Sequence, residues 1–189
     1  MQIQYNLKSN LRIVKTFYFS NPRIGLDLDE LLVDFLGGFS DWTKIDYRQV
    51  KNFEFSYSNT KIIDSLPPEF WLNLKPLIKP EDLNFLPVAY ITKRKFDEEI
   101  TKNWIEKNGF PCKKVYHVRE ESKFNACLEA KLDYYIDDSI FNFQDLNSKG
   151  IKTFLMDSPH NRQFDVGEDR VYNIKDLIKK IETDINFKK

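Results

Sequence analysis

Residues 25–35 read GLDLDELLVDF, an apolar run interrupted by two carboxylates, Asp27 and Asp29, two positions apart. Unpaired charges at the edge of a core are costly unless a cation or a hydrogen-bond network compensates them. The stretch therefore predicts a buried strand over 23–28 (RIGLDL) that ends in chemistry rather than in packing. Further runs rich in β-branched and aromatic residues follow at PVAYIT (87–92), KKVYHV (113–118), LDYYID (132–137) and IKTFLM (151–156). Amphipathic segments separate them. Phe96, Ile100 and Trp104 fall at helical spacing before Gly109, and 121–130 and 139–149, the latter closed by Gly150, read alike. Near the end, Ile174, Leu177, Ile178 and Ile181 share a face. This alternation predicts an α/β fold, a mostly parallel sheet with helices on both sides.

The interval 29–86 is far longer than one crossover needs. A helical pattern (Leu31, Leu32, Phe35, Leu36), a Gly37-Gly38 break and the aromatics Phe39, Trp42, Phe53, Phe55, Tyr57, Phe70 and Trp71 predict a small, mainly helical insertion. Residues 1–20 include the alternating LRIVKTFYF, an expected edge strand or hairpin. The expected division is an extension over 1–20, a core over 21–36 and 77–189, and a cap over 37–76.

The chain's 189 residues suit one core with an insertion. Its 29 basic and 29 acidic residues leave a formal net charge of +0, without the positive field that gripping a long nucleic acid requires. Cys112 and Cys127 form no C-x-x-C pair, and His117 and His160 lack zinc-site spacing. MQIQYNLKSN has no continuous apolar core of the kind a signal peptide needs, and no run approaches the roughly 20 apolar residues of a membrane span. The expectation is a cytoplasmic protein with reduced thiols; assembly, including a homodimer, is left open.

In an open parallel sheet, ligands bind beyond the carboxyl ends of the strands. Asp27 and Asp29 follow strand one, Thr92 ends strand two, Lys123 lies past strand three, and Asp137-Asp138 end strand four. Carboxylates drawn together raise one another's pKa unless a hard cation sits among them, and Mg²⁺ takes such oxygen ligands together with substrate phosphate. A hydroxyl and an ammonium suit phosphoryl oxygens. The set describes a phosphoryl-transfer site.

D-x-D on strand one, Thr on strand two, a downstream Lys and D-D on strand four, over residues 23–160, resemble the haloacid dehalogenase superfamily of phosphotransferases. DLDELLVDF (27–35), FWLNLKPL (70–77) and PHNR (159–162) are similar to its 5'(3')-deoxyribonucleotidase branch. The resemblance implies a Rossmann-like three-layer α/β/α core with a small helical cap inserted after strand one. It makes Asp27 the nucleophile of an aspartyl-phosphate and Asp29 the general acid/base. Mg²⁺ would be held by the Asp27 carboxylate, the Asp29 carbonyl and Asp137, with Asp138 a ligand through water or a supporting partner. Thr92 and Lys123 would neutralise the transferring group.

Several residues keep two readings. Asp138 is also a favourable helix cap before SIFNF. Lys93, Arg94 and Lys95 read as a solvated loop or as help in binding substrate. Phe70 and Trp71 read as core or as a platform for a nucleobase. His160, Asn161 and Arg162 read as loop capping or as contacts to substrate or cap. The family pattern has Gly after Asp29, whereas this chain has Glu30. Gly serves unusual dihedrals or close approach, so Glu30 would distort the turn, narrow access, or be harmless in a turn already helical. The expected activity is hydrolysis of a small phosphomonoester, a deoxyribonucleotide first. The alternatives are another phosphoester such as a sugar phosphate, a nucleic-acid 3'-phosphate end, a silent binding domain of the same fold, or a phospho-receiver. A receiver would carry its acceptor Asp on a middle strand, with no insertion.

Overall fold

The computed structural model describes residues 22–47 and 57–187. Among the described residues, six strands form one all-parallel sheet: β1 (Ile24–Leu26), β2 (Ala89–Thr92), β3 (Lys114–His117), β4 (Tyr134–Asp137), β5 (Lys152–Met156) and β6 (Arg170–Val171), in the spatial order β3-β2-β1-β4-β5-β6. The chain starts in the middle, builds outward to β3, then returns to the other side of β1 and builds outward again. The strand order reverses between β1 and β4, which leaves a crevice beyond their carboxyl ends.

Period-two alternation assigns strand residues to opposite faces. Leu26, Tyr90, Tyr134, Ile136 and Phe154 join one buried cluster with Trp104 and Ile105 of α4 (Glu98–Lys107) and Ile174, Leu177 and Ile181 of α7 (Ile174–Phe187). Ala89, Ile91 and Tyr135 face the other way, against Ala126 and Cys127 of α5 (Phe124–Glu129) and Leu146 of α6 (Ile140–Ser148). The result is the expected three-layer, Rossmann-like arrangement. The left-handed backbone at Gly109 and Gly150 (φ +74° and +84°) follows α4 and α6. β6 was not anticipated, because Arg170-Val171 is too short to show alternation.

Between β1 and β2 lie α1 (Phe35–Thr43), α2 (Tyr57–Asp64) and α3 (Pro68–Leu72). Two expectations need correction. Leu31 and Leu32 are not helical: the amides of Leu31, Leu32 and Val33 all point to the Leu28 carbonyl (3.3, 2.8 and 2.9 Å), winding 29–33 into a tight turn. The helix starts only after Asp34 caps it, accepting from Gly37 N at 2.8 Å. Nor do Gly37 and Gly38 break it. Both lie inside α1, where the Asp34 carboxylate sits over Gly37 and Leu74 packs on Gly38, leaving room for neither Cβ. The segment leaves and returns at one place: Val33 bridges Pro76 antiparallel, Asp34 N donates to Lys75 O (2.9 Å) and Leu77 N to Leu32 O (2.8 Å).

The expected edge strand in 1–20, with Phe53 and Phe55, lies outside the described residues. No helix among the described residues is long and apolar enough to cross a membrane.

Candidate phosphoryl-transfer site

The reversal of strand order brings two distant carboxylates together. Leu26 pairs with Ile136, and Asp27 N donates to Ile136 O at 3.0 Å, so Asp27 and Asp137 stand side by side at the sheet's carboxyl edge. Asp138 follows. Carboxylate oxygens of Asp27, Asp137 and Asp138 lie within 4.8 Å of one another, and all three residues are buried. Such a hard oxygen cluster fits a divalent cation.

Lys123, at the start of α5, is the counter-charge. Its Nζ lies 2.8 Å from Asp27 Oδ1, 2.7 Å from Asp137 Oδ2 and 3.1 Å from the Tyr135 hydroxyl, with its side chain 1% exposed. All three ammonium donors are thus engaged. Tyr135 in turn donates to Ile91 O at 2.8 Å. Burial works against charge on Lys123, but Asp137 and Asp27 outweigh it and hold its pKa above the usual lysine value. Asp27 is pushed well above the carboxylate range, chiefly by burial; Lys123 opposes this, while Asp137, Asp138 and Asp29 add to it. One ammonium does not balance three desolvated carboxylates, whereas a dication among them would.

Asp137 is braced by Ser139 N (2.9 Å, to Oδ1) and by Asn142 Nδ2, which reaches both oxygens at 3.0 and 3.1 Å. Asn142 escaped the sequence reading; its only signal is its place one turn into the helix that follows the Asp pair. The cap of α6 is Ser139, which accepts from Asn142 N at 3.5 Å, and not Asp138 as anticipated. The Asp138 carboxylate instead meets His160 Nε2 at 3.0 Å. Burial raises the Asp138 pKa, partly offset by His160; burial opposes charge on His160, yet the Asp138 contact lifts its pKa overall.

Asn161 is fully internal. Its Nδ2 donates to Asp138 O and Met156 O, both at 2.7 Å, and its Oδ1 accepts from Arg170. Arg162 is exposed and pairs with Asp157.

Thr92 is buried at the end of β2, its Oγ1 accepting from Arg94 N at 3.3 Å. Lys93 and Lys95 are exposed, Lys95 pairing with Glu120 and Asp64. Arg94 departs from the solvated-loop reading. It is buried, with Nε 3.0 Å from Asp29 Oδ2 and Nη2 2.6 Å from Asp29 Oδ1, a two-pronged pair. The Asp29 carboxylate is thus bound by Arg94 and is not one of the three clustered carboxylates.

Phe70 and Trp71 are both in the core. Trp71 stacks on Phe35 (5.6 Å between ring centres), packs against Phe96 (4.3 Å), and its buried Nε1 has no hydrogen-bond partner among the described residues. Trp42 at 53% exposure is the more accessible ring, edge-on to Phe70.

Glu30 has the left-handed backbone, φ +56°, that Gly would adopt freely. The turn keeps its course, and the carboxylate folds onto the start of α1, accepting from Leu36 N at 2.7 Å. Burial pushes its pKa up to about 8; the Leu36 amide opposes the shift, and Asp138 and Asp34 add to it.

No family model matches the chain. Over 98 residues it is 30% identical to a Bacillus cereus protein named "Putative nucleotidase", covering 49% of this chain and 52% of that one. Over 160 residues it is 26% identical to a Halalkalibacterium halodurans protein of the same description, covering 74% and 82%. The chain thus spans about half the length of the first relative.

Proposed function

We propose that the protein is a Mg²⁺-dependent phosphatase of the haloacid dehalogenase type that hydrolyses nucleoside monophosphates, deoxyribonucleotides foremost. The observation that carries this reading is the buried Asp27–Asp137–Asp138 cluster clasped by Lys123 at the β1/β4 crevice. The names of the two relatives support a nucleotide as substrate. Asp27, Asp137 and Asp138 would hold the cation, which would neutralise the phosphoryl oxygens and keep the nucleophile ionised at neutral pH.

Asp27 attacks phosphorus in line, forming the bond that makes an aspartyl-phosphate while the bond to the nucleoside oxygen breaks. Asp29 gives its proton to that oxygen. Asp29 then takes a proton from water, the resulting hydroxide attacks phosphorus, and the bond to Asp27 breaks, releasing phosphate. Lys123 offsets charge on Asp27 in both steps, and the Thr92 hydroxyl stands at the adjoining strand end to receive a phosphoryl oxygen.

A silent domain of the same fold would need Glu30 to spoil the turn after Asp29, and its accommodation by Leu36 N weakens that alternative. The test is phosphate release from deoxyribo- and ribonucleoside monophosphates and sugar phosphates, with Mg²⁺ or chelator. Release should favour nucleotides, require Mg²⁺ and vanish in Asp27→Asn. Preference for sugar phosphates would move the substrate class, and an inert wild type would overturn the phosphatase reading.

A further inference from the structure

Arg94 is a buried cation, and each of its three guanidinium nitrogens has a hydrogen-bond partner. Two donors engage both oxygens of Asp29, at 3.0 and 2.6 Å, and Nη1 reaches Thr101 Oγ1 at 3.4 Å, which in turn lies 3.1 Å from His117 Nε2. Its flat faces are covered: the guanidinium carbon lies 5.1 Å from the Trp71 ring centre and 5.6 Å from that of Phe96. The Arg94 side chain is 2% exposed while that of Asp29 is 26% exposed, so the anchor is internal and the group it holds remains partly open to solvent.

A fork fixes the plane of a carboxylate, which a single ammonium cannot do. We infer that Arg94 is a positioning residue for proton transfer: it takes one lone pair of each Asp29 oxygen and fixes the plane of the carboxyl, so that the proton bound for the leaving oxygen sits on a lone pair Arg94 does not use, and Trp71 and Phe96 set the orientation of Arg94. This rests on the phosphatase reading above and adds to it a residue outside the Asp–Thr–Lys–Asp set. It also ties the segment inserted between β1 and β2, through Trp71, to the acid/base group.

The leaving group separates positioning from mere support. The value of kcat/KM covers the steps through transfer of phosphorus to Asp27. In those steps a nucleoside oxygen needs a proton, whereas p-nitrophenolate departs without one. With Mg²⁺ present, Arg94→Met and Arg94→Lys should lower kcat/KM for a deoxyribonucleoside 5'-monophosphate by on the order of 100-fold. For p-nitrophenyl phosphate the same variants should stay within about fivefold of wild type, as expected where no proton transfer is required. Arg94→Lys keeps a cation in place, so it carries the test should Arg94→Met fail to fold. On the nucleotide alone, adding Arg94→Lys to Asp29→Asn should produce no further loss.

Equal losses on both substrates, unchanged kinetics, or an additive loss in the Asp29→Asn background would overturn the inference while the phosphatase reading stands. A wild type that releases phosphate from neither substrate would instead overturn that reading, and this inference with it.

Discussion

Glu30 adopts a backbone conformation that costs a side-chain-bearing residue about 1–2 kcal/mol, and it recovers a hydrogen bond to the start of α1 in exchange. Its carboxyl has a folded pKa of about 8 against 4.5 when unperturbed. The folded state therefore binds the proton more tightly, and this contribution to stability is complete below pH 4.5 and lost as pH rises through about 8. Glu30→Gln carries no charge to desolvate. In chelator, urea unfolding at pH 5.5, 7 and 8.5 should show the variant gaining on wild type at each step; a pH-independent difference would contradict the assignment. Arg94 shows why single residues were harder to read than strands. Between Lys93 and Lys95 it looks like part of a basic loop, and its partner Asp29 lies 65 positions away. No local pattern marks which of three neighbouring cations turns inward.

At the level of elements, α1 shows how a side chain and a helix start depend on each other. The Asp34 carboxylate caps the helix by lying where a Cβ on Gly37 would be. Gly37→Ala gains about 1 kcal/mol of helix propensity but displaces a cap worth about the same. It should be near neutral in wild type and stabilising by about 1 kcal/mol in Asp34→Ala, as read by chemical denaturation; equal effects in both backgrounds would refute the coupling. The five longer strands were legible because β-branched and aromatic runs recur between amphipathic segments. The start of α1 was not: the spacing of Leu31, Leu32, Phe35 and Leu36 suits a helix, but the Leu28 carbonyl draws three successive amides into a turn first. The polar strand ends of the candidate site were visible as a series, whereas Asn142, Tyr135 and Thr101, which brace it, carry no signal apart from the fold.

For the whole molecule, a cation held by the buried acidic cluster would make stability depend on cation concentration. A cation that binds only the folded state adds RT ln(1 + [L]/Kd), about 2.7 kcal/mol at one hundred times Kd. Magnesium should therefore raise the melting temperature of the wild type, chelator should reverse the rise, and Asp138→Asn should shrink it. A melting temperature indifferent to magnesium would argue against the cluster as its site.

The central place of β1 also has a consequence for the order in which the chain is made. One side of β1 pairs with β2, but its other partner, β4, lies about 110 residues further on. Ribosomes add about 5–20 residues per second, so during synthesis that side of β1 waits on the order of ten seconds for its neighbour. Through this interval Asp27 is emerged but has neither Lys123 nor Asp137 beside it, and remains free to stay hydrated. The mutual repulsion of the carboxylates is thus deferred to the closing step of assembly, when their counter-charge arrives with them.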